Sequence, residues 1–349
     1  MPPRVAPMLA RLERRLPADG YLYEPKWDGF RGLAFRAGQE LDLRSRNQRP
    51  LARYFPELVE ALLAVPTETF VLDGEIVVVS EAGPDFPALL ARLHPAAARV
   101  ERLSRETPAL FIAFDVISLE DDDLRGRPFR ERRLLLERLL SDASPPVYLT
   151  PLTEDREEAE RWLAAHHGPG VDGVVAKHQE LRYEEGERRM VKVKRERMAD
   201  CIVAGARWYI DQPLPSSLLL GLYDERGELR HVGIASSFTA AARRRLVEEL
   251  EPYVVPLEGH PWEHGFLLGG NPTGRLAGAA GRWSPEEMEQ DWTPLAPELV
   301  CEVQFDQLDE YRFRYPARFR RWRPDRDPRS CTLEQLETPP VNLAELLAQ

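Results

Sequence analysis

An α+β domain built on a mixed sheet, followed by a small all-β barrel, is the fold class this sequence predicts, and three observations predict it. The chain has 349 residues, which at ~100–200 residues per domain makes two domains or three. The first 197 residues alternate strand-like and helix-like patterns in mixed order, unlike a regular βαβ series. From about Ala199 the texture changes to short strands gathered around one helix. The expected boundaries are 1–197, 198–330 and a short C-terminal tail at 331–349.

Taken in order, Leu41–Arg44, Phe70–Val79 and Leu110–Ser118 read as strands. The second is rich in valine and is bounded by Ser80-Glu81-Ala82-Gly83. Phe55–Ala64 and Pro128–Leu140 carry helical spacing, the latter with Leu134, Leu135, Leu139 and Leu140 on one side, and Glu157–His166 is a further helix. In the second part Cys201–Tyr209, Ser217–Tyr223 and Arg230–Ile234 are short strands. Asp224-Glu225-Arg226-Gly227 makes a hairpin turn between the last two. Thr239–Leu250 predicts an amphipathic helix with Thr239 as its N-cap. Gly265–Pro285 reads as a long loop, and Pro297–Asp306 returns to strand. Such a set fits an OB-fold.

Composition narrows the function classes. At 43% hydrophobic residues the chain can build packed cores. No apolar run approaches the ~18 residues of a membrane span, and Met1–Ala10 lacks a signal-peptide layout. Cys201, Cys301 and Cys331 lie far apart in the chain, which excludes a disulfide framework and a CxxC zinc site and fits a reducing cytoplasm. A net charge of −11 argues against polyanion binding by the whole surface, while leaving room for a local basic groove. Of the 47 basic residues only four are lysines: Lys26, Lys177, Lys192 and Lys194. In a chain that uses arginine almost everywhere, these are positions where an amine does something a guanidinium cannot, such as attack an electrophile.

Around those lysines the chemistry gathers. Lys26-Trp27-Asp28-Gly29-Phe30-Arg31 sets an amine and a guanidinium around a tight bend; it is either a solvated surface turn or a nucleophile beside a phosphate clamp. Leu72-Asp73-Gly74-Glu75-Ile76 puts carboxylates into an apolar strand, at an edge or beside a partner charge. Phe111-Ile112-Ala113-Phe114-Asp115 puts aromatics on both faces of a strand, for core packing or for a ligand. Val171-Asp172-Gly173-Val174-Val175-Ala176-Lys177 is a short apolar strand with a carboxylate entering and a lysine leaving. Lys192 and Lys194, at i and i+2, share one face of a strand, a like-charge arrangement that an intervening anion relieves.

These segments resemble, in order, the motif set of the covalent nucleotidyltransferase superfamily, which holds the ATP-dependent DNA ligases and the mRNA capping enzymes. KWDGFR at 26–31 resembles the nucleophile motif, and Ser45-Arg46-Asn47-Gln48 the motif that follows it in DNA ligases. LDGEI, FIAFD, DGVVAK and VKVK match the remaining core motifs, and Arg314–Arg326 resembles the last, OB-domain motif. Tyr23–Gly29 and Arg282-Trp283-Ser284 are similar to the compact bacterial ligase C type. Asp172 stands where the family more often has Glu, and Ala317 is an extra residue in the last motif.

The resemblance implies an adenylation (nucleotidyltransferase) domain followed by an OB domain, sealing nicks in double-stranded DNA with ATP and Mg²⁺ or Mn²⁺. It implies that Lys26 forms a lysyl-AMP and that Glu24 lies beside the adenine. Arg31 and Arg46 would hold phosphate and ribose or the nick 5′-phosphate. Glu75 would contact the ribose and help bind metal, and Phe114 would stack on adenine. Asp172 would bind metal, Lys192 and Lys194 would contact the α-phosphate, and Lys177 would contact the phosphate side. Arg321 and Arg323 would approach pyrophosphate oxygens. The cations around Lys26, namely Lys192, Lys194, Arg31 and the metal, would depress its pKa from ~10.4 and supply the neutral amine.

Arg312–Arg329 holds eight arginines against two aspartates, interleaved with Phe313, Tyr315, Phe319 and Trp322. That stretch is expected to be a DNA surface, the alternative being a solvated barrel edge. A monomer in the bacterial cytoplasm, associated with the nucleoid, is expected. Two other readings stand beside the ligase: an RNA-joining or capping-type nucleotidyltransferase, and a catalytically silent nucleic-acid-binding module.

Overall fold

The computed structural model describes residues 4–80, 83–94, 96–165, 171–265, 292–309, 311–337 and 347. They fall into two compact units, one within Met1–Arg195 and one over Glu196–Glu337.

The first unit has two sheets. One has the order β1 (Leu9–Glu13), β11 (Arg188–Val193), β10 (Val171–His178), β2 (Tyr21–Trp27), with β1 parallel to β11 and the other pairs antiparallel. The other runs β4 (Glu40–Ser45), β3 (Phe30–Ala37), β5 (Thr69–Ser80), β7 (Ala109–Leu119), β8 (Asp122–Asp123), with β6 (Gly83–Pro84) on β5 and β9 (Val147–Leu149) parallel to β7. Residues on both faces of β5 and β7 are buried, which is why their sequences read as near-continuous apolar runs. Helices α1 (Pro56–Leu63) and α4 (Phe129–Leu139) put Leu58, Leu62 and Leu136 into the core that Phe70, Leu72, Phe111 and Val116 line. Short helices α2 (Phe86–Ala91) and α3 (Ala97–Glu106) and the helix α5 (Arg156–Ala165) complete the unit.

The second unit has one sheet in the order β14 (Leu229–Ala235), β13 (Gln212–Tyr223), β12 (Arg197–Tyr209), β15 (Trp292–Phe305), β18 (Arg318–Trp322). A small hairpin, β16 (Leu308–Asp309) with β17 (Arg312–Phe313), lies outside that order. A parallel bridge from Ala235 to Ala317, with the Ala317 N–H donating to Ile234 O at 2.8 Å, joins the two ends of the sheet and closes it into a barrel. Ala317, the extra residue of the last motif, is completely buried at this closure. Helix α6 (Ala240–Leu250) buries Leu246 and Leu250 in the barrel core, and the Thr239 hydroxyl caps it by accepting from Ala242 N–H.

The α+β unit and the OB-like barrel are the predicted fold class. One sequence reading needs correction. Residues 331–337 are not a tail: Cys331 and Leu336 lie in the barrel core, and the Gln335 amide accepts from and donates to the backbone of Asp200. Cys201, Cys301 and Cys331, distant in the chain, are fully buried free thiols as expected, and Cys201 and Cys301 are cross-strand neighbours. Helices α2 and α3 and strands β1 and β3 went unread. Glu81 and Ala82 of the expected turn, the expected loop from residue 266 on, Arg282-Trp283-Ser284 and most of 338–349 lie outside the described residues.

Candidate active site

Strand β2 ends at Trp27, and two residues later the chain enters the other sheet as β3. A Cβ on Gly29 would stand 2.2 Å from Ile76 O, so only glycine lets this joint lie against β5. Its N–H donates to Glu75 Oε1 at 3.2 Å. Lys26 thereby sits where one sheet ends and Arg31 where the other begins. Between them opens a cavity of about 510 Å³ whose lining belongs wholly to the first unit. Of the residues singled out in the sequence, Glu24, Lys26, Arg31, Arg46, Glu75, Phe114, Lys177 and Lys192 line it.

Asp172 and Lys194 stand directly behind Lys26. Lys26 Nζ donates to Asp172 Oδ1 at 2.5 Å, and Lys194 Nζ lies 2.6 Å from Oδ2. The close approach of β10 to the end of β11 depends on Gly173, whose Cβ would fall 2.2 Å from Val193 O. Burial works against both charges of the Lys26–Asp172 pair, yet the attraction wins: the Lys26 pKa is raised and that of Asp172 is lowered. This corrects the expectation that neighbouring cations depress Lys26. The carboxylate nearest the amine outweighs them. Lys192, half-buried on β11, is the lysine whose pKa is lowered, by burial and then by Lys26 and Lys194.

Glu75 reaches the cavity from β5. Burial pushes its carboxyl up to about 8 against the pull of Lys26 and Arg31. Next to it Asp73, fully buried, holds Arg31 in a fork, Nε to Oδ1 at 2.8 Å and Nη2 to Oδ2 at 2.5 Å, and accepts from the Tyr183 hydroxyl at 2.7 Å. Arg46 lies in a tight loop between β4 and α1 that Gln48 allows by adopting φ 61°. Arg44 Nη1 clamps that loop by donating to Gln48 O at 2.8 Å.

The far end of the cavity is aromatic and paired. Phe114 is partly exposed, with Lys177 Nζ 4.7 Å and Arg31 Cζ 5.2 Å from its ring centre. It therefore faces the cavity, whereas Phe111 is the ring that fills the core. Lys177 is 1% exposed and donates to Phe114 O at 2.8 Å while its Nζ lies 2.8 Å from Glu24 Oε2. It is thus fixed between Glu24 and Phe114. Arg133 from α4 backs Glu24, its Nη1 3.8 Å from Oε1, and its neighbour Arg132 forks Asp115 at 2.8 and 2.9 Å. Burial raises the Glu24 pKa, opposed by Lys177 and Arg133.

Asp73, Tyr183, Arg132 and Arg133 are site-supporting residues that sequence reasoning missed as such. Asp73 carried a signal, a carboxylate amid apolar strand residues; Tyr183 carried none.

Arg321 and Arg323 belong to the second unit, where they do not stand free. Arg321 Nη2 is 2.7 Å from Glu302 Oε2, and Arg323 binds Asp200 at 3.0 Å and Asp325 at 2.9 Å. With Arg326 also facing Asp200 and Arg320 facing Glu196, carboxylates distant in sequence offset the arginine-rich stretch. Of the expected basic surface, Arg320, Arg321, Arg323 and Arg326 are thus paired, while the exposed Arg318 meets no carboxylate among the described residues.

No group of three or more metal-ligating side chains occurs among the described residues. The donors available are Glu75 and Asp172, which suits a hard cation held by one or two carboxylates and substrate phosphates, as Mg²⁺ is.

Comparison with known proteins agrees with this geometry. The ATP dependent DNA ligase domain matches residues 6–194, and the ATP dependent DNA ligase C terminal region matches 212–326. The chain belongs to the ATP-dependent DNA ligases. It is 48% identical to DNA ligase C2 of Mycolicibacterium smegmatis over 97% of this chain and 96% of that one. Identity to DNA ligase C of Mycobacterium tuberculosis is 46%, over 99% of this chain and 98% of that one. A solved structure reported for Lig E DNA ligases as DNA binding with a minimal scaffold shares the fold, with a TM-score of 0.54 at 17% identity over 90% of this chain and 99% of that one.

Proposed function

We propose that the cavity of the first unit is where this ligase loads itself with AMP, and that Lys26 is the nucleophile. The observation that carries the reading is the Lys26–Asp172–Lys194 chain at the joint of two sheets. It supports an amine stored as its ammonium beside the group that controls its proton. In the loading step Lys26 Nζ bonds to the α-phosphorus of ATP and the bond to pyrophosphate breaks. A DNA 5′-phosphate oxygen then takes the adenylate from Nζ, and the 3′-hydroxyl at the nick displaces AMP.

Each residue has a part. Phe114 stacks on the adenine, and Glu24, held by Lys177 and Arg133, forms the wall beside it; we assign Lys177 to this base end. Arg31, locked by Asp73, and Arg46 face phosphate and ribose. Lys192 and Lys194 lie along the α-phosphate, where they offset charge that builds in the transition state. Glu75 and Asp172 would hold Mg²⁺ or Mn²⁺. Bound there, such a metal would supply positive charge that screens the phosphates. In the second unit, Arg321 and Arg323 would act on the departing pyrophosphate once released from Glu302 and Asp200. The enzyme is taken to act as a monomer on nicked double-stranded DNA, in the cytoplasm beside the nucleoid.

Incubation with labelled ATP and Mg²⁺ tests the reading. Label on the protein that survives alkali but is lost in acid, as a bond between lysine nitrogen and phosphorus requires, and that chases onto a nicked duplex, is the expected result. Label that fails to appear on the protein would exclude a lysyl-AMP.

A further inference from the structure

Among the described residues five arginines are buried, and four of them are answered. Arg36 donates to Val65 O, Arg92 binds Glu57, Arg132 binds Asp115, and Arg133 binds Glu137 and Thr150 O. The fifth is Arg207 in the barrel. It is 7% exposed, its Nε is buried without a hydrogen-bond partner, and no carboxylate pairs with it among the described residues. Burial alone lowers its pKa, with no opposing charge to restore it.

Its surroundings are cationic. Burial, and then the charges of Arg312 and Arg207, hold the buried His231 imidazole down at about 3. Arg207 lies opposite Ser217 of β13, and the register of β12 against β13 slips immediately after it, between Arg207 and Trp208. Bulges of this kind re-aim side chains, and they occur preferentially beside functional sites. An uncompensated buried guanidinium costs stability, so a fold that keeps one has a use for it that the free protein does not display.

We propose that Arg207 binds a backbone phosphate of the DNA substrate, whose oxyanion completes the pairing that the barrel leaves open. Arginine suits the task because its planar fork takes two phosphate oxygens at once and stays charged when buried. The proposal rests on the reading that this ligase acts on nicked double-stranded DNA, and it goes beyond that reading by naming a group outside the motifs.

Binding of the full-length protein to a nicked duplex, followed across a salt series, tests it with Arg207→Met and Arg207→Lys. Arg207→Met should weaken binding roughly tenfold and reduce the slope of log affinity against log salt by about one. The lysine variant should keep the slope. Because methionine fills the space without a charge, its thermal midpoint should rise by about 2–4 °C rather than fall. AMP loading should be unchanged. Equal affinity and slope in wild type and Arg207→Met would overturn the assignment of Arg207 alone, as would a lowered thermal midpoint, which marks a group the fold needs. Inorganic pyrophosphate that binds wild type but not Arg207→Met, at unchanged DNA affinity, would assign the site to a free phosphate and overturn it too. Failure of the unaltered protein to bind nicked duplex would overturn the DNA reading itself, and this proposal with it.

Discussion

The cavity of the first unit and the arginine-rich end of the second use the same charged groups to opposite effect. Around Lys26 each carboxylate faces more than one cation: Asp172 meets Lys26 and Lys194, and Glu75 feels Lys26 and Arg31. Positive charge is in excess there, and an anionic substrate completes it. Along residues 320–326 the arginines are numerous but Arg320, Arg321, Arg323 and Arg326 each meet a carboxylate, Glu302, Asp200, Asp325 or Glu196. Local density of basic residues is therefore a poor guide to where an anion goes; the balance in space decides.

The strongest way to break this comparison is Lys26→Arg. It keeps charge and bulk but offers no neutral amine, so AMP attachment should be abolished with the circular dichroism and melting curve unchanged. Label on the arginine variant would remove Lys26 from the reaction.

Next in size is the double change Arg321→Ala with Arg323→Ala. If those arginines leave their carboxylates to act on pyrophosphate, AMP loading should slow by ~10³-fold or more, while sealing of a nick already carrying AMP survives. Equal damage to both steps would make the segment a DNA surface only.

Asp172→Asn sharpens the comparison through pH. Asp172 holds the Lys26 pKa above its ordinary value, so in wild type the neutral amine, and with it loading, should increase as pH rises through neutrality. Without the carboxylate the Lys26 pKa falls, and the rising limb of a single-turnover pH profile should move to lower pH even though the rate at its plateau drops. A limb that stays in place would show that Asp172 does not govern the amine.

Phe114→Ala is the mildest. Loss of stacking should weaken ATP by roughly 1–3 kcal/mol, read from the KM for ATP in loading, with Phe114→Trp milder still. A large drop in melting temperature at unchanged KM would return Phe114 to the core.

Much of the fold was legible because burial on both faces leaves valine-rich runs such as 70–79 and 110–118, and because Thr239 caps its helix by a local rule. Strands β1 and β3 and helix α3 were not legible: α3 is mostly charged and buries only Val100, so it has too thin an apolar stripe to announce itself. The site's membership was readable from motifs, since eight of its residues do line one cavity. Its wiring was not. The partner of Lys26 lies 146 residues away, and which cation pairs with which carboxylate depends on strand register, which no local pattern encodes. The same cause hid the carboxylates that offset the C-terminal arginines and the meeting of Cys201 with Cys301.

The four lysines have a practical side. Three line the cavity and the fourth grips Asp172, so apart from the α-amino terminus the outer surface of the described chain carries arginine in place of primary amines. Amine-directed reagents, which spread over the whole exterior of an ordinary protein, have here almost nowhere to react but the cavity of the first unit. A succinimidyl ester or a pyridoxal aldehyde becomes a titrant of that cavity, and ATP should protect against it. Coupling to a solid support through amines would tether the enzyme by its own working parts, and immobilisation that preserves activity must go through carboxyl groups or the chain ends.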